Sequence, residues 1–482
     1  MKELITEIDQ DIRGARASLA RKKLLEIPSK KIPRESLAPL ARLSWRADIP
    51  ALGLKWLNPL VRPTTRRQVT ITATDSETVE YSACLIRLGA STEALELLGK
   101  VNKESHPESM LYQVFALVTQ WEYAKTIPLL REYADAVSSD HYQTVVAGIN
   151  LALAFIFEGH LDEAKTELNR VGNLTEKNQM NLAMAKVMEL RTQIAITEGE
   201  ISKARDLIQE GKEALGDSKS LDEFFLRKWS AVADLKEHRR TGPIDKIREE
   251  ALNRRHWETL RDCDRLQGIH LNQPSLLEKV YYGTPFLHYR ERLLELWGEP
   301  HPPHDYYDQY GKQKALFDIS EGRLGRRKLK VGRLMHQLLI VLASDIYRPK
   351  RLAELFGLLH PDDYYHPTLS PPRIYDLMAR LRSWLKANRV PLKISYQKGA
   401  YSLYSSGGIT LRLKHHVPKP DSSLNQKLRA AFPTEFSAKE AATSTGKPLR
   451  SIQRQLRMWE EQQLLISQGS GRARKYRWLP SS

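Results

Sequence analysis

Arg373, Asp376 and Arg380 stand at i, i+3 and i+7 in the stretch "PPRIYDLMARLRSWLKAN". On a helix this spacing lays the three along one polar face. Arg can donate two hydrogen bonds to guanine O6 and N7, and Asp can accept one from cytosine N4, so the face has the chemistry to read base edges in a duplex. Nearby, Arg382 and Lys398 suit phosphate contact. A second constellation follows in "GKPLRSIQRQLRMWEEQQLLISQGSGRARKYRW". Arg450, Gln453 and Arg454 carry donor sets for bases, with Lys447, Ser451 and Arg457 beside them. Arg472, Arg474 and Lys475 lie in a Gly-led basic run suited to clamping phosphates.

The bland alternative is that these are solvated helix charges, and the distribution of charge bears on it. Of the net +17, residues 314–482 hold 31 Lys and Arg against 12 Asp and Glu, leaving 44 against 46 in residues 1–313. The whole basic excess sits in the C-terminal third, which reads as a footprint for a polyanion.

Other chemistry finds little support. "STGKP" lacks the upstream Gly and the following Ser or Thr of a phosphate-binding loop, and HExxH and GxSxG are missing. His301 and His304 with Asp305 invite a metal, but two prolines between them disfavour a helix and a third convincing ligand is lacking. Cys84 and Cys263 are the sole cysteines, too few for a disulfide framework or a zinc site of their own and suited to a reducing compartment. The opening "MKELITEIDQD" is charged and has no apolar h-region, and no window approaches a membrane span. The expectation is a cytoplasmic, nucleoid-associated protein that is not an enzyme, with no cofactor, no metal and no membrane partner.

These side chains need elements to hold them. Ile374, Met378, Leu381 and Leu385 form the apolar stripe of the first helix, which opens with Pro. Two further apolar-striped helices, "RLMHQLLIVLAS" and "RLAELFGLLH", precede it. Short strands are expected in "ALFDISEGRLGRRKLKV", and "VPLKISYQKGAYSLYSS" reads as a closing hairpin. The stretch "RIYDLMARLRSWL" and the hairpin's Gly399, Tyr401 and Leu403 resemble the winged-helix effector domain of OmpR/PhoB-type response regulators. Trp384 departs from that pattern, where a cation is usual, and the receiver domain that normally precedes the module is missing. The resemblance implies a DNA-reading helix over 373–385 without aspartyl phosphorylation as its input.

In the second module Ser437 and Glu440 form a capping-box pattern, and Gly446 with Pro448 makes a turn. A helix from Leu449 to about Gln463 follows, with Leu449, Ile452, Leu456 and Trp459 on its buried face, and "LLIS" can pair with "KYRW" around the basic tip. This order resembles the winged helix-turn-helix of MarR-like bacterial regulators, which implies a helix in the major groove and a wing along the backbone.

Upstream, Gly and a small residue recur five apart at Gly89 and Ala94, Gly159 and Ala164, and Gly199 and Ala204, with a degenerate copy at Trp121 and Thr126. The spacing suits a helix-turn-helix unit in which glycine makes the turn and the small residue admits a neighbouring helix. These copies resemble the tetratricopeptide repeat, which implies a surface for a peptide, a protein or a small effector.

The expected architecture is mostly α: a TPR-like α-solenoid followed by two small α+β winged-helix domains. The boundaries are a capping helical region at 1–78, repeats at 79–297, a linker at 298–313, a winged helix at 314–406, a linker at 407–421 and the second winged helix at 422–482. Together these resemblances point to a bacterial TPR-containing transcriptional regulator that binds double-stranded DNA, with a protein or peptide partner on the array and homodimerisation left open. The rival expectation is a repeat-based scaffold whose winged helices contact protein or RNA.

Overall fold

The computed structural model describes residues 1–14, 16–63, 72–216, 220–298, 316–397, 399–406, 408–412, 424–446, 449–461, 465–469 and 474–479. They fall into two compact units, one made of 1–62, 72–359 and 365–415 and the other built around the residues after 415.

The first unit begins with α1 (Lys2–Arg13), α2 (Ala17–Glu26), α3 (Leu37–Arg46) and α4 (Pro50–Val61), gathered around Ile8, Leu24, Leu40, Leu43 and Trp56. Helical hairpins follow: α5 (Asp75–Leu88) with α6 (Ser91–Leu98), α7 (Glu108–Val118) with α8 (Tyr123–Ala136), α9 (His141–Glu158) with α10 (Leu161–Lys177), and α11 (Asn181–Glu198) with α12 (Ile201–Leu215). Thr74 and Glu77 cap α5 reciprocally, so this region begins at Asp75, four residues before the expected Val79.

The four turn positions read from the sequence share one geometry. Gly89, Trp121, Gly159 and Gly199 all have left-handed backbones, with φ of 89°, 61°, 81° and 86°. Each turn residue donates its N–H to a carbonyl three residues back, and the next residue donates to one five back. Gly89 bonds Ile86 and Ala90 bonds Leu85; Trp121 bonds Val118 and Glu122 bonds Leu117. This closes the helix end and satisfies its last carbonyls. Ala94, Thr126, Ala164 and Ala204, five residues on in each copy, are fully buried. A tryptophan in a left-handed conformation costs about 1–2 kcal/mol relative to glycine. Trp121 offsets this by packing edge-on against Tyr123, Phe157 and Tyr289, with ring centroids 5.4, 5.1 and 4.5 Å away.

Helices continue as α13 (Leu221–His238), α14 (Gly242–Arg254), α15 (Trp257–His270), α16 (Pro274–Tyr282) and α17 (Leu287–Trp297). Burial, then Lys236 and Arg265, hold the His270 imidazole down at about 4, against an ordinary 6.5. Between those values the unfolded chain binds more protons than the folded one, so stability falls as pH drops from about 6.5 to about 4. In urea titrations at neutral pH and at about pH 5, wild type is expected to lose more stability than His270→Asn. Parallel losses would contradict this.

The first C-terminal module opens with β1 (Leu316–Asp318), β2 (Arg323–Leu324), β3 (Arg327–Lys328) and α18 (Leu334–Ala343). It continues through β4 (Lys350–Arg351), α19 (Leu352–Leu359) and α20 (Ser370–Ala387), and ends with β5 (Leu392–Gln397), β6 (Ala400–Ser405) and β7 (Thr410–Arg412). Its sheets have the orders β3-β2-β1-β7 and β4-β6-β5. Ile374, Met378, Leu381 and Leu385 are all buried, as the stripe requires. The expected linker from 407 is corrected. Leu411 faces Phe317 in a parallel pairing of β7 with β1, and Ile409 and Leu411 are fully buried. A three-residue strand is too short to show an alternating pattern in sequence.

The second unit contains α21 (Leu424–Ala431), β8 (Glu435–Ser437), α22 (Ala438–Thr445), α23 (Leu449–Glu461), β9 (Leu465–Gln468) and β10 (Lys475–Trp478), with sheet order β8-β10-β9. The Ser437–Glu440 capping box forms with both hydrogen bonds. Phe436, Ile452, Leu456, Trp459, Tyr476 and Trp478 make the core. Leu449 does not join it: as the first residue of α23 it is exposed, and the buried stripe starts one turn later at Ile452.

Candidate nucleic-acid interface

The two faces of α20 are sharply different. Behind the buried stripe, Arg373, Asp376, Arg380 and Arg382 are all exposed. Among the described residues neither Asp376 nor Arg380 has a polar partner, so their hydrogen-bonding groups are available to a ligand. The Arg373 guanidinium lies over the Phe356 ring at 5.0 Å, which holds it at the start of the helix. Arg382 donates from Nη2 to the Ile394 carbonyl at 3.3 Å, which ties α20 to strand β5. Lys398 lies outside the described residues.

A further cluster went unread in the sequence. Arg323, Arg326, Arg327, Lys328, Lys330 and Arg333, on and just after the β2–β3 hairpin, are all exposed. Among the described residues none of the six meets a carboxylate. The signal was present as "GRLGRRKLKVGR", most of it within the stretch expected only to form short strands.

The second unit is more mixed. Gln453 and Arg457 are exposed on α23. Arg450, Ser451 and Arg454 lie on the same helix, their side chains outside the described set, and Lys447 and Arg472 lie outside the described residues altogether, as do His301, His304 and Asp305. Arg474 turns inward: Nη2 meets both Glu460 carboxylate oxygens at 3.1 and 2.8 Å and Ser467 Oγ at 2.7 Å. Lys475 meets Glu440 at 3.3 Å, and Arg477 meets Glu435 at 2.6 Å. Glu440 sits below its ordinary range because it accepts from the Ser437 backbone and then from Lys475.

Within the first unit the array and the first module share a core rather than a tether. Leu54, Tyr81, Cys84 and Leu97 belong to one apolar cluster with Phe317, Leu355, Phe356 and Met378. Gly89 serves twice here, because a Cβ on it would sit 2.9 Å from Glu354 Cβ at the start of α19. Polar contacts complete the seam. Arg351 donates to the Arg87 carbonyl at 2.6 Å, and the Tyr365 backbone N–H donates to Glu93 at 2.9 Å. Tyr347 donates its hydroxyl to Asp264 at 2.8 Å, and Arg261 Nη2 meets Asp345 at 3.0 Å with both side chains fully buried. Burial pushes the Asp345 carboxyl up, and Arg261 with Lys350 and Arg348 more than offsets it, leaving it below the usual carboxylate range. The sequence hid this seam because Arg261 and Asp345, 84 positions apart, each read as ordinary surface charge.

The comparisons agree with the repeat region only in extent. A family model described as a domain of unknown function, DUF7017, matches residues 78–210, less than a third of the chain. No curated protein matches. Among solved structures, the apo form of RapI has a TM-score of 0.39 at 10% identity, covering 61% of this chain and 96% of that one. A human IFIT1 dimer with m7Gppp-AAAA has a TM-score of 0.32 at 14% identity, covering 79% of this chain and 87% of that one. Scores this low carry no functional weight.

Proposed function

We infer that the chain is a DNA-binding transcriptional regulator, not an enzyme, in which two winged helices engage duplex DNA and the helical array takes the signal or partner. The observation that carries this reading is the outward face of α20, where Asp376 and Arg380 are exposed and unpartnered on a helix whose opposite face is fully packed. Three further features support it. Helices α18 to α20 followed by the β5–β6 hairpin repeat, as a pattern, in α21 to α23 followed by β9–β10. Six exposed cations stand on and beside the β2–β3 hairpin, where they suit phosphates. The basic excess is confined to the third of the chain that holds these elements.

The test selects a binding site from a random duplex pool and compares Arg380→Ala on it. A bidentate contact to guanine is worth about 1–3 kcal/mol of base discrimination. The variant is therefore expected to bind the selected duplex about 5- to 150-fold more weakly and to tolerate substitution at one base pair. Unchanged affinity and unchanged selectivity would remove α20 from the interface.

A second reading is favoured for the second unit alone. Arg474, Lys475 and Arg477 already face Glu460, Glu440 and Glu435, so three cations near the expected wing are neutralised within the fold. A module arranged in this way suits a protein contact.

A further inference from the structure

One cavity in the first unit has no part in the interface described above. Its volume is about 350 Å³ and it is lined by Trp121, Tyr123, Phe157, Trp257 and, among polar groups, Arg255, Glu258, Asp262 and Arg348. That size lies at the lower end of pockets that hold small molecules, and an aromatic wall with a few placed charges is their usual composition. Three hairpin turns build it: the one before α8, the end of α9, and the one between α14 and α15. Arg348 comes from the first C-terminal module.

The charges decide what the cavity suits. Both acids are already matched: Glu258 meets Arg261 at 2.5 Å, and Asp262 meets Lys228 at 2.9 Å and Arg265 at 3.3 Å. Arg348 is held by Glu354 at 2.8 Å. Arg255 is different, for among the described residues its guanidinium has neither a hydrogen-bond nor an ion-pair partner. It also sits in a left-handed conformation, with φ of 61°, where a branched or long side chain is disfavoured by about 1–2 kcal/mol. Trp121 shares that backbone strain, and its ring packing accounts for it. The same helix closure accounts for the Arg255 backbone, whose N–H donates to the Leu252 carbonyl while that of His256 donates to the Ala251 carbonyl. What the fold leaves without a partner is the Arg255 guanidinium, at the rim of an aromatic-walled cavity. Trp257, two residues on, also lines the cavity, and among the described residues no ring stacks against it.

We propose that this cavity is a binding site for a small planar anion, an aromatic or heteroaromatic ring seated against Trp257 and Trp121 with its negative group on Arg255. Nucleoside phosphates and aromatic carboxylates both have this chemistry. The site stands apart from the nucleic-acid reading, and its occupant would touch Arg348, whose backbone and side chain lead into β4 and α19.

Calorimetric titration of the full chain tests it, with adenosine monophosphate and indole-3-carboxylate as the two probe classes. Tryptamine serves as the ring without the anion and inorganic phosphate as the anion without the ring. At least one of the first two is expected to bind below about 1 mM, and both controls to bind about tenfold more weakly or worse. Arg255→Asn, which keeps a residue tolerant of the left-handed backbone, is expected to weaken that probe about tenfold. Its unfolding midpoint should match wild type, and Trp257→Ala should weaken the same probe. Binding of the phosphate probe alone, or of the carboxylate alone, names the source. Three outcomes would overturn the proposal: neither probe binding at about 1 mM, tryptamine binding as well as indole-3-carboxylate, or Arg255→Asn leaving affinity unchanged.

Discussion

Arg261→Met is expected to cost the first unit about 3–5 kcal/mol of unfolding free energy, a large share of the 5–15 kcal/mol typical of folded proteins. The reason is what the substitution leaves behind. Asp345 is fully buried, and without Arg261 at 3.0 Å its nearest cations are Arg348 at 3.8 Å and Lys350 at 3.9 Å. Backbone N–H groups of Tyr347 and Arg348 still donate to it at 3.1 Å, so it keeps partial solvation but loses its closest counter-charge, and the two cations that remain are farther off and shared with Glu354. The same change removes the guanidinium from among the rings of Phe286, Tyr289 and Tyr347, each 5.3 to 5.5 Å from it. Replacing both partners, as Arg261→Met with Asp345→Leu, should recover most of the loss, because an apolar pair leaves no buried charge unmatched. Urea titration of the three proteins measures this. A single variant within about 1 kcal/mol of wild type would show that the pair does not hold the array to the first module.

What the sequence showed, and what it hid, follows from how local each signal is. The Ser437–Glu440 cap, the stripe of α20 and the turn glycines are set by spacings of three to five residues, so they could be read directly. Trp121 was placed at a turn by repeat position alone, and its φ of 61° agrees with that placement despite its size. The exposed positions of α20 followed from the same periodicity. Leu449 was misjudged because an apolar residue at the first helical position extends the pattern without having a neighbour to bury it. Non-local contacts were hidden. Strand β7 exists only through β1, and the seam between Arg261 and Asp345 joins two charges that each look solvated. The inward turn of Arg474 depends on Glu460, 14 residues away on another element, and a basic run gives no hint of it. The cavity is assembled from separate turns plus Arg348, so no single stretch announces it.

The steepest effect expected of this protein is its dependence on salt. Duplex binding through phosphate contacts releases condensed counterions, so affinity falls with a log–log slope of about −0.9 per phosphate neutralised. The exposed cations available for such contacts include six on and beside the β2–β3 hairpin together with Arg380 and Arg382 on α20. If six to ten phosphates are met, affinity drops by about 10³- to 10⁵-fold between 50 and 200 mM salt. Arg326, Arg327 and Lys328 lie far from the base-reading face in sequence and carry no base information in this account. Changing all three to Gln should therefore lower the slope by about 2.7 and weaken every duplex alike. Arg380→Ala should instead act mainly on one selected sequence.

The most direct measurement is fluorescence anisotropy of the full-length protein with labelled duplex DNA, titrated with salt and then competed with excess structured RNA. Binding at about 50 mM salt, a slope equivalent to at least about six phosphates, and a complex that survives the RNA are the expected results. No duplex affinity at about 50 mM salt, or a complex that RNA displaces as readily as DNA does, would contradict the DNA-binding reading and leave the basic third of this chain to an RNA or a protein partner.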